Sequence, residues 1–192
     1  MARVQNILMK PAAEWDVIDG EPATVGGLYT GYACILAAIP AVAVLIQYAL
    51  FLHRPIVGVV AAVLGYVVSL VVVFVMALII DALAPSFGAQ KSQIQALKLS
   101  VYSYTATWVA GILNIVPILG ILAVLAGLYG LYIMYLGLPK LMKSPADKTV
   151  GYFVVTIVVA IVVNIVFAMI VGAILAAMLM SAVVAGGAAL TN

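Results

Sequence analysis

The run LSVYSYTATWVAGILNIVPILGILAVLAGLYGLYIMYLGLPKLM at residues 99–142 reads as a helical hairpin. Its first limb is diluted by Ser100, Ser103, Thr105, Thr107 and Asn114. A polar lead-in continues one face of it, with Ile94, Leu97, Val101, Tyr104 and Trp108 spaced by three and four. The chain turns at Asn114-Ile115-Val116-Pro117. The second limb is apolar until Tyr129, Tyr132 and Tyr135, and it closes at Leu138-Pro139. Hydroxyl and amide side chains in hydrocarbon need partners, so the first limb should face protein rather than lipid.

The chain has 192 residues, 68% of them hydrophobic and 7% charged. Its mean hydropathy is +1.34. Soluble chains carry about 25% charged residues, so this composition belongs to a membrane protein. Outer-membrane barrels alternate apolar and polar residues in segments of about ten, whereas these runs are continuous, and an all-α bundle remains. A net charge of +2 without a basic patch excludes nucleic-acid binding. The lone Cys34 excludes an internal disulfide and a cysteine-based metal site. Residues 1–27 lack the apolar core of a secretory signal, so the N-terminus is expected to be retained.

Outward from the hairpin, five spans are expected, at about 28–52, 56–80, 99–116, 118–138 and 150–184, within a membrane domain at 23–190. Residues 1–22 form a polar head. Val4, Ile7, Leu8, Pro11, Trp15 and Ile18 share one helical face, with Pro11 suited to a first helical position. That pattern predicts a helix lying on the membrane, with Trp15 and Ile18 at the interface and Asp16, Asp19 and Glu21 in water. Gly27, Gly31, Ala33, Ala37 and Ala41 make a small-residue stripe on the first span, and Pro40 is placed to kink it. His53-Arg54-Pro55 is a short connection that makes spans one and two antiparallel neighbours. Asp81 falls at the end of span two, next to the turn-like Ala84-Pro85-Ser86-Phe87-Gly88, and is expected at the interface. The last apolar segment holds an isolated Asn164, and the small series Ala173, Ala177, Ser181, Ala185 and Ala189 favours one long helix over two spans.

The cations then set an orientation. With the N-terminus in the cytoplasm, Arg3, Lys10, Lys91, Lys98, Lys140, Lys143 and Lys148 lie inside and Arg54 alone lies outside, seven against one. Omitting the weak third span would put Lys140, Lys143 and Lys148 on the wrong side. The C-terminus is therefore expected outside, in the manner of a bacterial inner-membrane protein, with Lys140 and Lys143 at the interface.

In Tyr102-Ser103-Tyr104-Thr105, Gly111-Ile112-Leu113, Ile115-Val116-Pro117-Ile118-Leu119-Gly120, Gly127-Leu128-Tyr129-Gly130-Leu131-Tyr132 and Leu136-Gly137-Leu138-Pro139-Lys140-Leu141-Met142, the hairpin resembles the Yip1 domain family of five-span membrane proteins. Pro11-Ala12-Ala13-Glu14-Trp15 resembles the short P-x-x-x-W opening of its bacterial members. Two features depart from the family. Ala106 stands where the family often has a proline after the threonine, and the long N-terminal region with its Asp-Leu-Tyr-Gly-Pro motif is absent. The resemblance implies a membrane-organising or partner-recruiting role, linked in eukaryotic members to small GTPases and vesicle traffic.

No catalytic constellation is present: one histidine, no nucleophile elbow, no phosphate-binding loop and no paired acids in adjacent spans. The expectation is a non-enzymatic protein with no cofactor and no metal, whose partners are the lipid bilayer, a membrane or small-GTPase-like protein, and a second copy of itself. The alternative is a transporter or channel for a small solute, ion or lipid through a groove lined by spans three and four. Tyr102, Tyr104, Thr105, Gly111, Asn114, Pro117, Gly120, Gly127, Tyr129, Gly130, Tyr132, Gly137 and Pro139 are the ligand or packing candidates in either case.

Overall fold

The computed structural model describes residues 2–189, with side chains described for residues 2–180. Helices α1 (Ala2–Met9) and α2 (Pro11–Gly20) form the head, and Pro11 opens α2, where its missing N–H costs no helical bond. Thr24 caps α3 (Val25–Leu28) by accepting a 3.0 Å bond from the Gly27 N–H. A π-helical turn at Tyr29–Ala33 follows and leads into α4 (Cys34–Leu50), with Pro40 inside it. Turns of this kind rotate side chains out of helical register. Here Tyr29 donates to the Leu70 carbonyl at 2.9 Å, and Tyr32 pairs with the Thr105 hydroxyl at 2.8 Å.

The chain reverses through His53, whose φ of 51° is left-handed, and Pro55 starts α5 (Pro55–Leu83). Gly58 lets α5 close on α4, because a Cβ there would lie 2.6 Å from the Tyr48 Cβ. A 3₁₀ turn at Ala84–Phe87 and a left-handed Gly88, φ 67°, end this limb.

The next stretch is helical but broken. It runs as α6 (Gln93–Ser103), a break at Tyr104, α7 (Thr105–Ala110) and a 3₁₀ turn at Gly111–Ile115. The break occurs without a proline at position 106, which answers the departure noted in the sequence. Val116 is extended before Pro117, as the proline ring requires. A 3₁₀ turn at Pro117–Leu119 leads to α8 (Gly120–Leu141), and α9 (Ala146–Ala189) completes the chain. Among the described residues there is no strand.

Among the described residues, four helical segments are long and apolar enough to cross a membrane: Val25–Leu50, Pro55–Phe87, Pro117–Leu141 and Ala146–Met180. The broken stretch 93–115 is not among them, because no single helix in it reaches the roughly 20 residues needed. Its direction is nevertheless set by its neighbours. The Gln90 N–H donates to the Met142 carbonyl at 2.7 Å, so the start of α6 and the end of α8 share one end of the bundle. The chain from Gln93 must therefore travel to the far end before α8 can return. Ser181, Ala185 and Ala189 of the small-residue series lie outside the described side chains. Of the stripe on the first span, Ala33 and Ala37 are buried while Gly27 and Gly31 are exposed.

The head corrects one expectation. Its apolar face does not lie open to lipid: Ile7, Trp15 and Ile18 are all fully buried against the bundle. The Trp15 indole N–H donates to the Ile133 carbonyl at 2.9 Å. An apolar face recognised by helical spacing can be covered by lipid or by protein, and here α8 covers it.

Candidate functional site

Two regions carry the candidate residues, one at the polar end of the bundle and one inside it. At the polar end the head is fastened to α6 and α8. Gly137 makes the notch for Trp15; a Cβ there would sit 2.5 Å from the indole Cε2 and 2.7 Å from Leu99 Cδ1. Tyr102 packs edge-on to Trp15 and to Tyr32, with ring centroids 6.3 and 4.8 Å apart. The Arg3 guanidinium lies 5.8 Å above the Tyr102 ring. Tyr129 donates to the Leu8 carbonyl at 2.6 Å.

The head's carboxylates are ion-paired to cations rather than free in water. Arg3 binds Glu14 at 2.5 Å and also Glu21, Lys143 binds Asp19 at 2.5 Å, and Lys140 binds Asp16. Lys140 also donates to the Ala12 carbonyl at 2.8 Å. Asp16 and Asp19 thus link the head to the end of α8, the Glu21 and Glu14 carboxylates join α2 and its end to Arg3 of α1, and Glu14 is buried. Burial alone would lower the Arg3 pKa. The hydrogen bond to Glu21 and the charges of Glu21 and Glu14 outweigh it and hold the value above the ordinary one.

In the sequence Lys98 counts only as one of the cytoplasmic cations, yet it is 3% exposed. Its ammonium donates to the Ile18 carbonyl at 2.9 Å and the Glu21 carbonyl at 2.5 Å. Burial pushes its pKa below the ordinary lysine value, against the raising influence of Asp19 and Glu21. Asp81 is buried to 9% exposure, its Oδ1 without a partner and its Oδ2 4.0 Å from the Lys91 ammonium.

Inside the bundle, α5, α6, α7, α8 and α9 leave an apolar cleft of about 610 Å³. A second cavity of about 390 Å³ adjoins it on the α4 side. Tyr104, Thr107 and Asn164 line both and form a polar belt between them. Asn164 donates to the Ala160 carbonyl at 2.8 Å. Ser103 lines the larger cleft with its buried hydroxyl unpartnered. Ser100, one turn earlier, is satisfied by the Val73 carbonyl at 2.8 Å.

The remaining candidates divide between cleft and packing. Gly127 faces the cleft, and a Cβ there would meet nothing within 4 Å. Gly130 is a contact point, since its Cβ would fall 2.8 Å from the Ser103 carbonyl oxygen. Gly111 seats Pro40 at 2.6 Å by the same measure. Asn114 lines the smaller cavity, close to Gly120. Tyr132 is 51% exposed beside Tyr129, and Pro139 lies within α8 without ending it. Thr105 is satisfied by Tyr32, and Pro117 only opens the turn into α8. The structure therefore brings Tyr104, Gly127 and Gly130 to the cleft, and Tyr102, Tyr129 and Gly137 to the head.

No curated protein and no solved structure matches the chain. The family model of the Yip1 domain matches residues 6–168, a range that takes in most of the head, the broken stretch, α8 and the part of α9 that lines the cleft. With several membrane-length helices and this match over most of its length, the chain is a multi-pass membrane protein that belongs to the Yip1 domain family.

Proposed function

We propose that this protein is a non-enzymatic, five-crossing membrane protein that holds a structured platform at one membrane face and recruits a partner to it. On this reading the third crossing lies within the broken stretch, at about 99–116; five crossings put the two termini on opposite sides, and the cation count favours the N-terminus in the cytoplasm and the C-terminus outside, in the cell membrane of a bacterium. The observation that carries this reading is the docked head. Trp15 in its notch, the Asp16–Lys140 and Asp19–Lys143 ion pairs and the buried Lys98 hold the head against α6 and the end of α8. An interfacial anchor would have spent that apolar face on lipid.

The outer surface of the head then faces the cytoplasm with Met9 and Val17 exposed, at 75% and 52%. On this reading these two exposed side chains are contact points for the partner. A soluble partner of the small-GTPase kind or another membrane protein fits this surface. The test is affinity capture from native membranes with the full chain and with a Met9→Asp, Val17→Asp variant, whose changes lie on the exposed face. The reading expects a protein captured by the parent and lost with the variant. Identical captures from both would overturn it. Reporters fused at residue 54 and at the C-terminus test the topology independently, and either one found in the cytoplasm contradicts five crossings with the N-terminus inside.

A further inference from the structure

Among the described residues, no side chain fills the larger cleft. We propose that it is a binding site for a neutral lipid, a hydrocarbon chain carrying an uncharged oxygen such as a hydroxyl or an ester carbonyl. The proposal goes beyond the recruiting platform, because it depends on neither the head nor a protein partner.

The cleft's volume, about 610 Å³, lies within the roughly 300–1,000 Å³ of small-ligand sites. Its entrance is lateral. Val124 and Leu128 on α8 and Ile161 and Ile165 on α9 line it and are also more than half exposed, so the rim opens where a bilayer would lie. An apolar, lipid-facing cavity is filled by hydrocarbon rather than by water.

The polar lining narrows the occupant further. No carboxylate, amine, guanidinium or imidazole lines the cleft, so a charged headgroup would be stranded at this depth. What the lining offers is Ser100, Ser103, Tyr104, Thr107 and Asn164, all uncharged, with Ser100 already satisfied by the Val73 carbonyl. Asn164 donates to the Ala160 carbonyl, but the Ser103 hydroxyl is buried, 3% exposed as a residue, and has no partner. A buried hydroxyl left unmatched in an apolar wall is costly unless a ligand oxygen completes it. Gly127 is the third indication, since the absence of a side chain there keeps the cleft open while serving no helix contact.

The test uses the full-length protein in vesicles of phosphatidylcholine and phosphatidylglycerol. A photoreactive diacylglycerol is compared with a phosphatidylglycerol bearing the same photoreactive chain, and labelled peptides are mapped. The proposal expects the diacylglycerol probe to label α8 around 128–134 and α9 around 157–165 well above the charged probe. Gly127→Leu, which fills the cleft, should reduce that labelling to the level of the charged probe. Ser103→Ala, a change too small to disturb packing, should weaken it about fivefold, the worth of one neutral hydrogen bond. Gly172→Leu, at a glycine with open space that lies outside the cleft, should leave it unchanged. Equal labelling by both probes, or labelling indifferent to both Gly127→Leu and Ser103→Ala, would mean contact with bulk lipid only and overturn the proposal.

Discussion

Replacing Trp15 by alanine should release the head. The indole is fully buried, lies in the notch at Gly137 and donates to the Ile133 carbonyl at 2.9 Å. Truncating a buried tryptophan costs about 3–5 kcal/mol in a packed core. The ion pairs that would still hold the head are partly exposed and contribute about 0–1 kcal/mol each. Some of the cost is recovered if the undocked indole of the parent can rest in the headgroup region, so the lower end of the range applies. At 1.4 kcal/mol per decade, about 3 kcal/mol raises the undocked population roughly 100-fold. Amide hydrogen exchange in α2 reads that population directly when opening and closing are fast. The expected result is exchange in 11–20 accelerated by about two orders of magnitude, with α8 unchanged at its centre. Gly137→Val attacks the same contact from the other side and should act in the same direction. Combined with Trp15→Ala it should add far less than its own effect, because the notch is then already empty. Unchanged exchange in α2 of the Trp15→Ala protein would refute the docking argument.

Two further glycines of α8, Gly127 and Gly130, give a sharper contrast. Gly130→Ala places a methyl 2.8 Å from the Ser103 carbonyl oxygen, which is backbone and cannot rotate away. It should cost about 1–3 kcal/mol in a denaturant or thermal unfolding series, whereas Gly127→Ala, in open space, should cost nothing measurable. Lys98 predicts a pH dependence. Its folded-state pKa lies below the ordinary 10.5, so the unfolded chain holds this proton more tightly and the site gains stability as pH rises from the lowered value towards 10.5. The neutral amine keeps two N–H donors for the Ile18 and Glu21 carbonyls. The thermal midpoint of the parent should therefore rise relative to Lys98→Met between neutral pH and pH 10.5, and a falling difference would contradict the sign. Tyr32→Phe removes the partner of the buried Thr105 hydroxyl and should destabilise more than the double change Tyr32→Phe, Thr105→Val, in the same unfolding assay.

Much of the fold could be read from composition and spacing because membrane helices are dictated by one solvent. The continuous apolar runs at 25–50, 55–87, 117–141 and 146–180 announce themselves. The stretch 93–115 does not, because its polar side chains are satisfied by partners far away in sequence: Thr105 by Tyr32, Trp108 by Ser69 at 2.8 Å, and Ser100 by Val73. The head's amphipathic face was equally visible, but its cover was not. Spacing shows that Trp15 and Ile18 must be buried and leaves open whether lipid or α8 buries them. That choice rests on Gly137, whose role as a notch depends on a residue over a hundred positions earlier. The glycines of α8 look alike in sequence, yet Gly127 keeps a cleft open, Gly130 seats a backbone and Gly137 admits an indole. The unpartnered Ser103 hydroxyl and the buried Lys98 also needed coordinates, since a serine or lysine reads the same whether or not its partner is present.

The docked head is the centre of this account, and carbodiimide coupling tests it most directly. The reagent joins a carboxylate to an amine only when the two already touch, and it can be applied to the full-length protein in its native membrane. Asp19 with Lys143 at 2.5 Å and Asp16 with Lys140 are the pairs that bridge the head and the end of α8. The account predicts linked peptides that join Asp16 and Asp19 to Lys140 and Lys143. Recovery of the head's carboxylates without any link to those lysines would place the head on the bilayer instead and contradict it.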